Sequence, residues 1–326
     1  MPVNSVQRWL TRIANARTGW KVHHMATTSA EPQVRFVSVF AAGPQGGNPA
    51  PIVVDAAGMS DAEMQQIAHA YGHESGFVLP PPPGSDCDFE FRFWVPNHEM
   101  SMCGHVTVGA TWLLQRLGRL QRDRITILTK SGRVHARISQ SAGQDISVEV
   151  SQPAGVIEPL PDTPQSTNDI LDVLGIGSDC LAPFPIQNAR TSRVKTLIPL
   201  KSVAILDGLR PDFSKMEQLC ERINSTGLYP YAVSDQQAQI VDARQFPSSS
   251  GYPEDAATGI AASALSFGLL ANRMVDASER QIIIRQGRAM KRPSEIKVRF
   301  SFNEGDLNGC WLGGDVQPTE CEKMAS

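Results

Sequence analysis

The 326-residue sequence contains no apolar run approaching the ~20 residues that a membrane-spanning helix needs. It has no basic excess either: 30 Lys and Arg stand against 33 Asp and Glu, a net charge of −3, which argues against an electrostatic nucleic-acid or membrane-surface binder. No Walker loop, no G-x-G-x-x-G and no G-x-S-x-G elbow is present, so nucleotide, dinucleotide and α/β-hydrolase chemistry lose their usual sequence support. The 6 cysteines (Cys87, Cys103, Cys180, Cys220, Cys310 and Cys321) include no C-x-x-C pair and follow no secretory signal, which fits free thiols in a reducing compartment. A structural zinc site needs clustered ligands, and the sequence shows none.

Residues 1–30 lack acids altogether while holding Arg8, Arg12, Arg17 and Lys21. These cations offset a body of net −7 to give the −3 of the whole chain. Val6, Trp9, Leu10 and Ile13 recur among them at helical spacing, the amphipathic, Arg-bearing make-up of a mitochondrial presequence. The competing readings are a disordered extension and an upstream start, with Met25 as a second initiator. Residues 1–31 are therefore set apart from the fold; the expected location is cytoplasmic, with a mitochondrial one as the alternative.

The whole sequence is 41% apolar, and the part beyond residue 31 has, at its length, room for two cores. Residues 34–40 and 49–54 are β-branched runs bounded by Gly and Pro and read as strands. Ser60 to Glu63 is a capping-box signature that starts a helix over 61–71, ended by Gly72. A strand over 75–79 follows, leaving His73 and Glu74 at the junction, where side chains are aimed rather than packed. Strands are predicted over 89–95, 124–129, 133–139 and 145–151, with a helix inside 100–118 ending at Gly118. A Pro-, Gly- and Ser-rich stretch, 152–167, reads as the boundary between a first half, 32–155, and a second, 156–305, with residues 306–318 returning to the first. Beyond it the strands SRVKTLIPL and KSVAIL, a helix over 213–225, further strands and a helix over 254–272 repeat the order.

MCGHVTVGATWLLQRLG and AATGIAASALSFGLLAN each combine a Gly-containing entry with a helix too apolar for a surface, so both must be wrapped by other elements. The expected fold is α+β, with two pseudo-symmetric halves, each a curled, mostly antiparallel sheet around a central helix. Two such helix starts present unpaired N–H groups and positive dipole ends, which suits a small anion; the competing reading is that local side chains cap them. Glu74 and Asp255 are the acids nearest these starts. A carboxyl in an apolar cleft has its pKa raised and becomes a proton shuttle near neutrality, the alternative being an exposed turn acid. His69 and His73 stand four apart, but Gly72 should end the helix between them, so the geometry of an H-E-x-x-H site is missing and no metal is expected. A Cys103/His105 nucleophile would have a thiol acidified at a helix start, yet residues two apart do not face each other on a helix, so His135 or another base would have to be brought in.

GGNPAPIVVDAAGMSDAEMQQIAHAYGHESGFVL, FRFWVPNHEMSMCGHVTVGATWLL, RQFPSSSGYPEDAATGIAASAL and IIIRQGRAMKRPSEIKV together resemble the PhzF-like isomerase family of phenazine biosynthesis, within the diaminopimelate-epimerase fold superfamily. The resemblance runs over about residues 33–317 and implies two halves facing one cleft, commonly a homodimer, and no cofactor. It implies that Glu74 is the acid/base that takes a proton from one substrate carbon and returns it to another. It puts Asp255 where the family holds a polar group of the substrate, and Gly104, His105, Thr258 and Gly259 at the helix starts. The epimerases of this fold use two facing cysteines; Cys103 matches the first, but Ala256 stands at the second, which disfavours a two-thiol racemase. His73 replaces a common Ser, Ser75-Gly76 the usual Thr and small apolar residue, Val106 a Pro, Ile260 a substrate-binding Ser and Lys291 a Gly.

The function expected is a cofactor-independent isomerase moving a proton and a double bond within a small carboxylate- or carbonyl-bearing metabolite. Glu74, Asp255 and His105 are its catalytic group; Cys103, Gly104, His73, Thr258, Gly259 and Ile260 contact the substrate. The alternatives are a non-catalytic small-molecule binder of the same fold and a Cys103-dependent hydrolase.

Overall fold

The computed structural model describes residues 32–140, 145–248 and 252–319. The segment read as an extension or presequence, 1–31, lies outside them. The first part of the chain runs β1 (Val34–Val39), β2 (Asn48–Val53), α1 (Asp61–Tyr71), β3 (Ser75–Leu79), β4 (Phe89–Trp94), β5 (Glu99–Met100), α2 (Gly104–Arg116), β6 (Arg124–Thr129), β7 (Gly132–Ser139) and β8 (Ser147–Pro153). It continues through β9 (Val156–Pro159), α3 (Thr163–Leu174), β10 (Gln187–Arg190), β11 (Val194–Pro199), α4 (Val203–Gly208), α5 (Met216–Arg222), β12 (Gly227–Asp235), β13 (Ile240–Ala243) and β14 (Phe246–Pro247). The final elements are α6 (Gly259–Ala271), β15 (Ile282–Gln286), β16 (Ser294–Asn303), β17 (Asp306–Gly313) and β18 (Val316–Pro318).

All the strands belong to one curled sheet. Most pairs are antiparallel; β2–β3, β4–β6, β11–β12 and β13–β15 are parallel. β17 joins the two halves, pairing with β8 along one edge and β16 along the other, while β18 returns to β1. The sheet wraps two helices. α2 lies against β1, β2, β3, β7 and β8, and α6 against β9, β10, β11, β16 and β17, so each half has its own central helix, as the two apolar segments require. Every residue of α2 from Gly104 to Leu114 is buried, and α6 is buried from Gly259 to Leu269 except Ile260. No helix among the described residues is long and apolar enough to cross a membrane.

The capping box forms as predicted: the Ser60 hydroxyl accepts from Glu63 N at 3.3 Å, and the Glu63 carboxylate accepts from Ser60 N at 2.7 Å. Gly72 closes α1 in the left-handed region at φ 64°. One predicted strand is a helix: KSVAIL is the start of α4, because the Ser202 hydroxyl caps Ile205 N at 3.3 Å and the helix turns Leu206 into the core. The 152–167 stretch holds the end of β8, all of β9 and the first turn of α3, where Pro164 suits a position needing no N–H donor. Its Gly155 is a packing residue, since a Cβ there would lie 2.3 Å from the Phe267 ring of α6.

Two departures from the family pattern explain each other. A Cβ on Gly76 would stand 2.4 Å from Val106 Cγ1, so β3 can approach α2 this closely only without a side chain at 76. Val106 is fully buried and, being β-branched in a helix, has no free rotamer to yield. Gly76→Ala should therefore destabilise the chain by about 1–3 kcal/mol through overpacking. The loss should shrink when Val106→Ala is added, and urea unfolding of the four variants in a double-mutant cycle measures that coupling.

Candidate active site

The left-handed turn at Gly72 ends α1 and points the chain into β3, so that Glu74 enters the sheet beside the start of α2. On the other half, Asp255 precedes α6 and is held on several sides. Its N–H donates to Gln245 O at 3.1 Å, Asn48 Nδ2 donates to its Oδ1 at 3.0 Å, and the Thr258 hydroxyl donates to its Oδ2. Gln286 Nε2 donates to the Asp255 carbonyl at 2.7 Å, and Asn48 Nδ2 also reaches Ala257 O at 3.1 Å, tying β2 to the α6 entry.

Neither helix start is capped by its own N-cap side chain, Cys103 for α2 or Thr258 for α6, which leaves early amides free to meet a ligand. Both starts line one cleft of about 520 Å³ with Glu74, Cys103, His105, Asp255 and Ile260. His73 lies in the adjoining, wider part of the cleft, of about 1690 Å³, which Glu74 and Asp255 also border. The structure thus brings all nine residues singled out in the sequence to one place.

Burial moves most of these groups toward their neutral forms. Glu74 is raised by desolvation, opposed by the charges of Arg193 and Lys195. Asp255 is raised to about 6, by desolvation first and by Glu74 second. Desolvation lowers His105 to about 4, so its imidazole is neutral at pH 7, and it lowers His73 as well, with Arg292 adding to the effect. The Cys103 thiol is pushed well above its ordinary value by burial and then by Glu74. His105 Nε2 lies 3.6 Å from Glu74 Oε2 and has no hydrogen-bond partner of its own, although the side chain is buried.

Cys103 and His105 do meet, contrary to the helical-spacing argument: Sγ and Nδ1 are 3.4 Å apart. Cys103 is extended, at φ −137° and ψ 112°, so the pair straddles the helix start and does not follow helical geometry. The spacing rule fails there, but the acidification expected of the thiol fails too, since burial beside Glu74 outweighs the helix dipole. Glu74, Cys103 and His105 each place one donor atom within 4.8 Å of the others, a cluster that the sequence spacing did not reveal.

The sequence reading missed Asn48, Gln286, Lys195 and Gln245. Gln286 carried a signal, because it falls in step with Ile282 and Ile284 in the period-2 pattern of β15. Gln286 shares the buried face of β15 with Ile282 and Ile284, and its Oε1 accepts from Tyr229 Oη at 2.9 Å.

Residues 37–309 match the PhzC-PhzF family of phenazine biosynthesis-like proteins. The chain is 30% identical to the uncharacterized isomerase YddE of Escherichia coli O157:H7, over 87% of this chain and 95% of that one. It is 29% identical to trans-2,3-dihydro-3-hydroxyanthranilate isomerase of Pseudomonas aeruginosa, over 81% and 88%. Among solved structures, a PhzF-family phenazine biosynthesis protein of Bacillus anthracis superposes with a TM-score of 0.76 at 24% identity, covering 88% of this chain and 96% of that one. A hydroxyproline epimerase from Agrobacterium vitis shares the fold, with a TM-score of 0.57 at 14% identity, covering 88% and 90%. A match over most of the chain and relatives that are isomerases along almost their whole length lead to one conclusion: the chain belongs to the phenazine biosynthesis-like protein family and is an isomerase.

Proposed function

We propose that this isomerase works without a cofactor, moving a proton and with it a double bond within a small carboxylate- or carbonyl-bearing metabolite, with Glu74 as the acid/base. The observation that carries this reading is the setting of Glu74. It is a carboxylate raised by burial, 3.6 Å from a neutral, unpartnered imidazole nitrogen, in a cleft onto which two uncapped helix starts open.

The ionised Glu74 carboxylate takes a proton from one substrate carbon, and the electron pair left behind is delocalised toward a substrate carbonyl oxygen. The amides at the two helix starts stabilise that developing negative charge. His105 Nε2 and Asp255, the latter fixed by Asn48 and Thr258, position and polarise the substrate. Protonated Glu74 then returns the proton to a second carbon, and the double bond moves with it. Residues 32–155 and 156–305, with 306–318 added to the first, supply the two walls of the cleft, and the protein works as a homodimer in the cytoplasm.

Ala256 in place of a second cysteine supports a single-carboxylate mechanism over a two-base racemase, whose other face would have no thiol. The Cys103-dependent hydrolase draws no support from a thiol raised by burial, because the thiolate is its nucleophile.

Glu74→Gln should lower turnover by about 10²–10⁴-fold, the usual contribution of a positioned acid/base. Trans-2,3-dihydro-3-hydroxyanthranilate, on which the Pseudomonas relative acts, is the first substrate to offer. With any substrate that turns over, incorporation of solvent deuterium should fall in parallel, and undiminished exchange in the variant would show that Glu74 is not the base.

The pH profile gives an independent check. Glu74 must be ionised to accept the first proton, and its pKa is raised, so kcat/KM should fall as pH drops through a value above the ordinary carboxylate range. Asp255→Asn removes a neighbouring negative charge and should move that acidic limb to lower pH; a limb that stays in place would detach Asp255 from the titration.

A further inference from the structure

Lys195 is the second residue of β11, only 5% exposed, and its Nζ has Thr226 O at 3.3 Å as its hydrogen-bond partner. Neither it nor Arg193, two residues earlier in the β10–β11 turn, forms a salt bridge among the described residues. Both line the cleft that holds Glu74 and Asp255. Asp255 and Glu74 favour the charged form of Lys195 through space, but neither forms a salt bridge with it, so a bound carboxylate is the group that can pair with it directly.

Gln245 lines the same cleft and is 1% exposed, yet neither its Nε2 nor its Oε1 has a hydrogen-bond partner. A fully buried amide with both ends unpaired is rare in a folded protein and needs an explanation. The backbone around it is shaped to admit it. Gly227 follows the Thr226 that binds Lys195, has φ +150°, and a Cβ there would stand 2.5 Å from Gln245 Nε2. The missing side chain leaves room for the amide next to the strand whose Thr226 carbonyl binds Lys195. The Gln245 backbone is held in place, because its backbone carbonyl accepts from Asp255 N and the neighbouring Arg244 grips Glu254 through two hydrogen bonds of 2.9 and 2.7 Å.

We propose that Lys195 and Gln245, with Arg193 at the mouth, form a subsite that binds a carboxylate group of the substrate. Lys195 Nζ supplies the charge and Gln245 Nε2 a directed donor, while Gln245 Oε1 accepts from a neighbouring hydroxyl, amine or water. With the carboxylate held on this wall, the helix-start amides are left for the oxygen on which charge develops during proton transfer. The subsite also gives the substrate a polar hold that Ile260, standing where the family pattern has a Ser, does not offer. It rests on the reading of the cleft as a proton-transfer site, but its residues act by binding alone, so the two can be tested apart.

The probes are acetate, butyrate, succinate and benzoate, each compared with its primary amide by isothermal titration and thermal shift. At least one acid should bind the wild-type protein saturably and raise its Tm, and the matching amide should not. Lys195→Met and Gln245→Leu should weaken that acid by about 10- to 100-fold, the range for losing a hydrogen bond to a charged group. Gln245→Glu, equal in volume and carrying a like charge, should abolish binding and decides the matter if either of the others fails to fold. Arg193→Gln, at an exposed position, should weaken binding a few-fold and flatten its salt dependence. The proposal falls if no acid binds the wild-type protein at millimolar concentration, if the amides bind as well as the acids, or if the folded Lys195 and Gln245 variants bind the acid as tightly as wild type. Glu74→Gln should keep acid binding and tighten it, since the variant removes a negative charge that competes with the ligand for Lys195 and Arg193. Acid binding abolished in Lys195→Met, with deuterium exchange undiminished in Glu74→Gln, would keep the subsite and reject Glu74 as the base; the reverse pattern would do the opposite.

Discussion

Both central helices begin on a glycine because both begin against the same side chain. A Cβ on Gly104 would lie 3.0 Å from Leu312 Cδ2, and one on Gly259 would lie 2.6 Å from the same atom. Leu312 belongs to β17, the strand that pairs with β8 on one side and β16 on the other and so carries the sheet from one half into the next. This fully buried leucine therefore sets how closely the two helix starts approach the seam. That closeness is what makes a single cleft out of two half-sites. Amides that would be unsatisfied liabilities at a dry helix end open onto a common space where a ligand can meet them.

The same closeness sets the electrostatics. Removing water from the cleft moves Glu74 and Asp255 up and His73, His105 and Lys195 down, in each case toward the uncharged form. On the proposed mechanism, this setting suits proton transfer near neutral pH. A carboxylate poised above its ordinary range is a better base than one in water, and its conjugate acid still gives the proton back. Asp255 shares the low-dielectric space but is held by Asn48 and Thr258, which donate to its oxygens and so favour its ionised form. Both carboxyls are raised by burial, and Asp255 is the one whose oxygens accept from Asn48 and Thr258.

The parts of this arrangement that were legible in the sequence are those governed by local rules. The Ser60–Glu63 capping box, the left-handed Gly72 and the two apolar helices behind Gly104 and Gly259 are short-range features, and together they place Glu74 and both helix starts. The α4 strand prediction failed because Ser202 capping competes with β-branched propensity, and the two cannot be weighed without knowing what Leu206 packs against. The packing role of Gly155 was not legible, because it answers to a Phe267 ring more than 100 residues away in sequence. The Cys103–His105 approach was hidden because it depends on one extended residue at a helix boundary. Asn48 was present in the GGNPA segment, but its work is to reach across to Asp255 and Ala257, a pairing that no periodicity discloses.

The departures from the family pattern then read as linked changes. Gly76 and Val106 exchange volume across the β3–α2 contact, which lets the backbone near Glu74 keep its course while the residues around it differ. Ile260 makes the α6 start less polar, while Lys195 and Gln245 place unmatched polarity in the same cleft. On the proposed mechanism, proton transfer needs Glu74, a held substrate and stabilisation of the developing charge, and none of these depends on which wall grips the rest of the molecule. A fold that fixes its acid/base at the sheet edge and its amides at the seam is therefore free to move its recognition groups from one wall to the other. The constraint on such a move is electrostatic: a cation as deep as Lys195 feels Glu74 and Asp255 through space without a salt bridge to either, and a bound anion is the group that can pair with it directly.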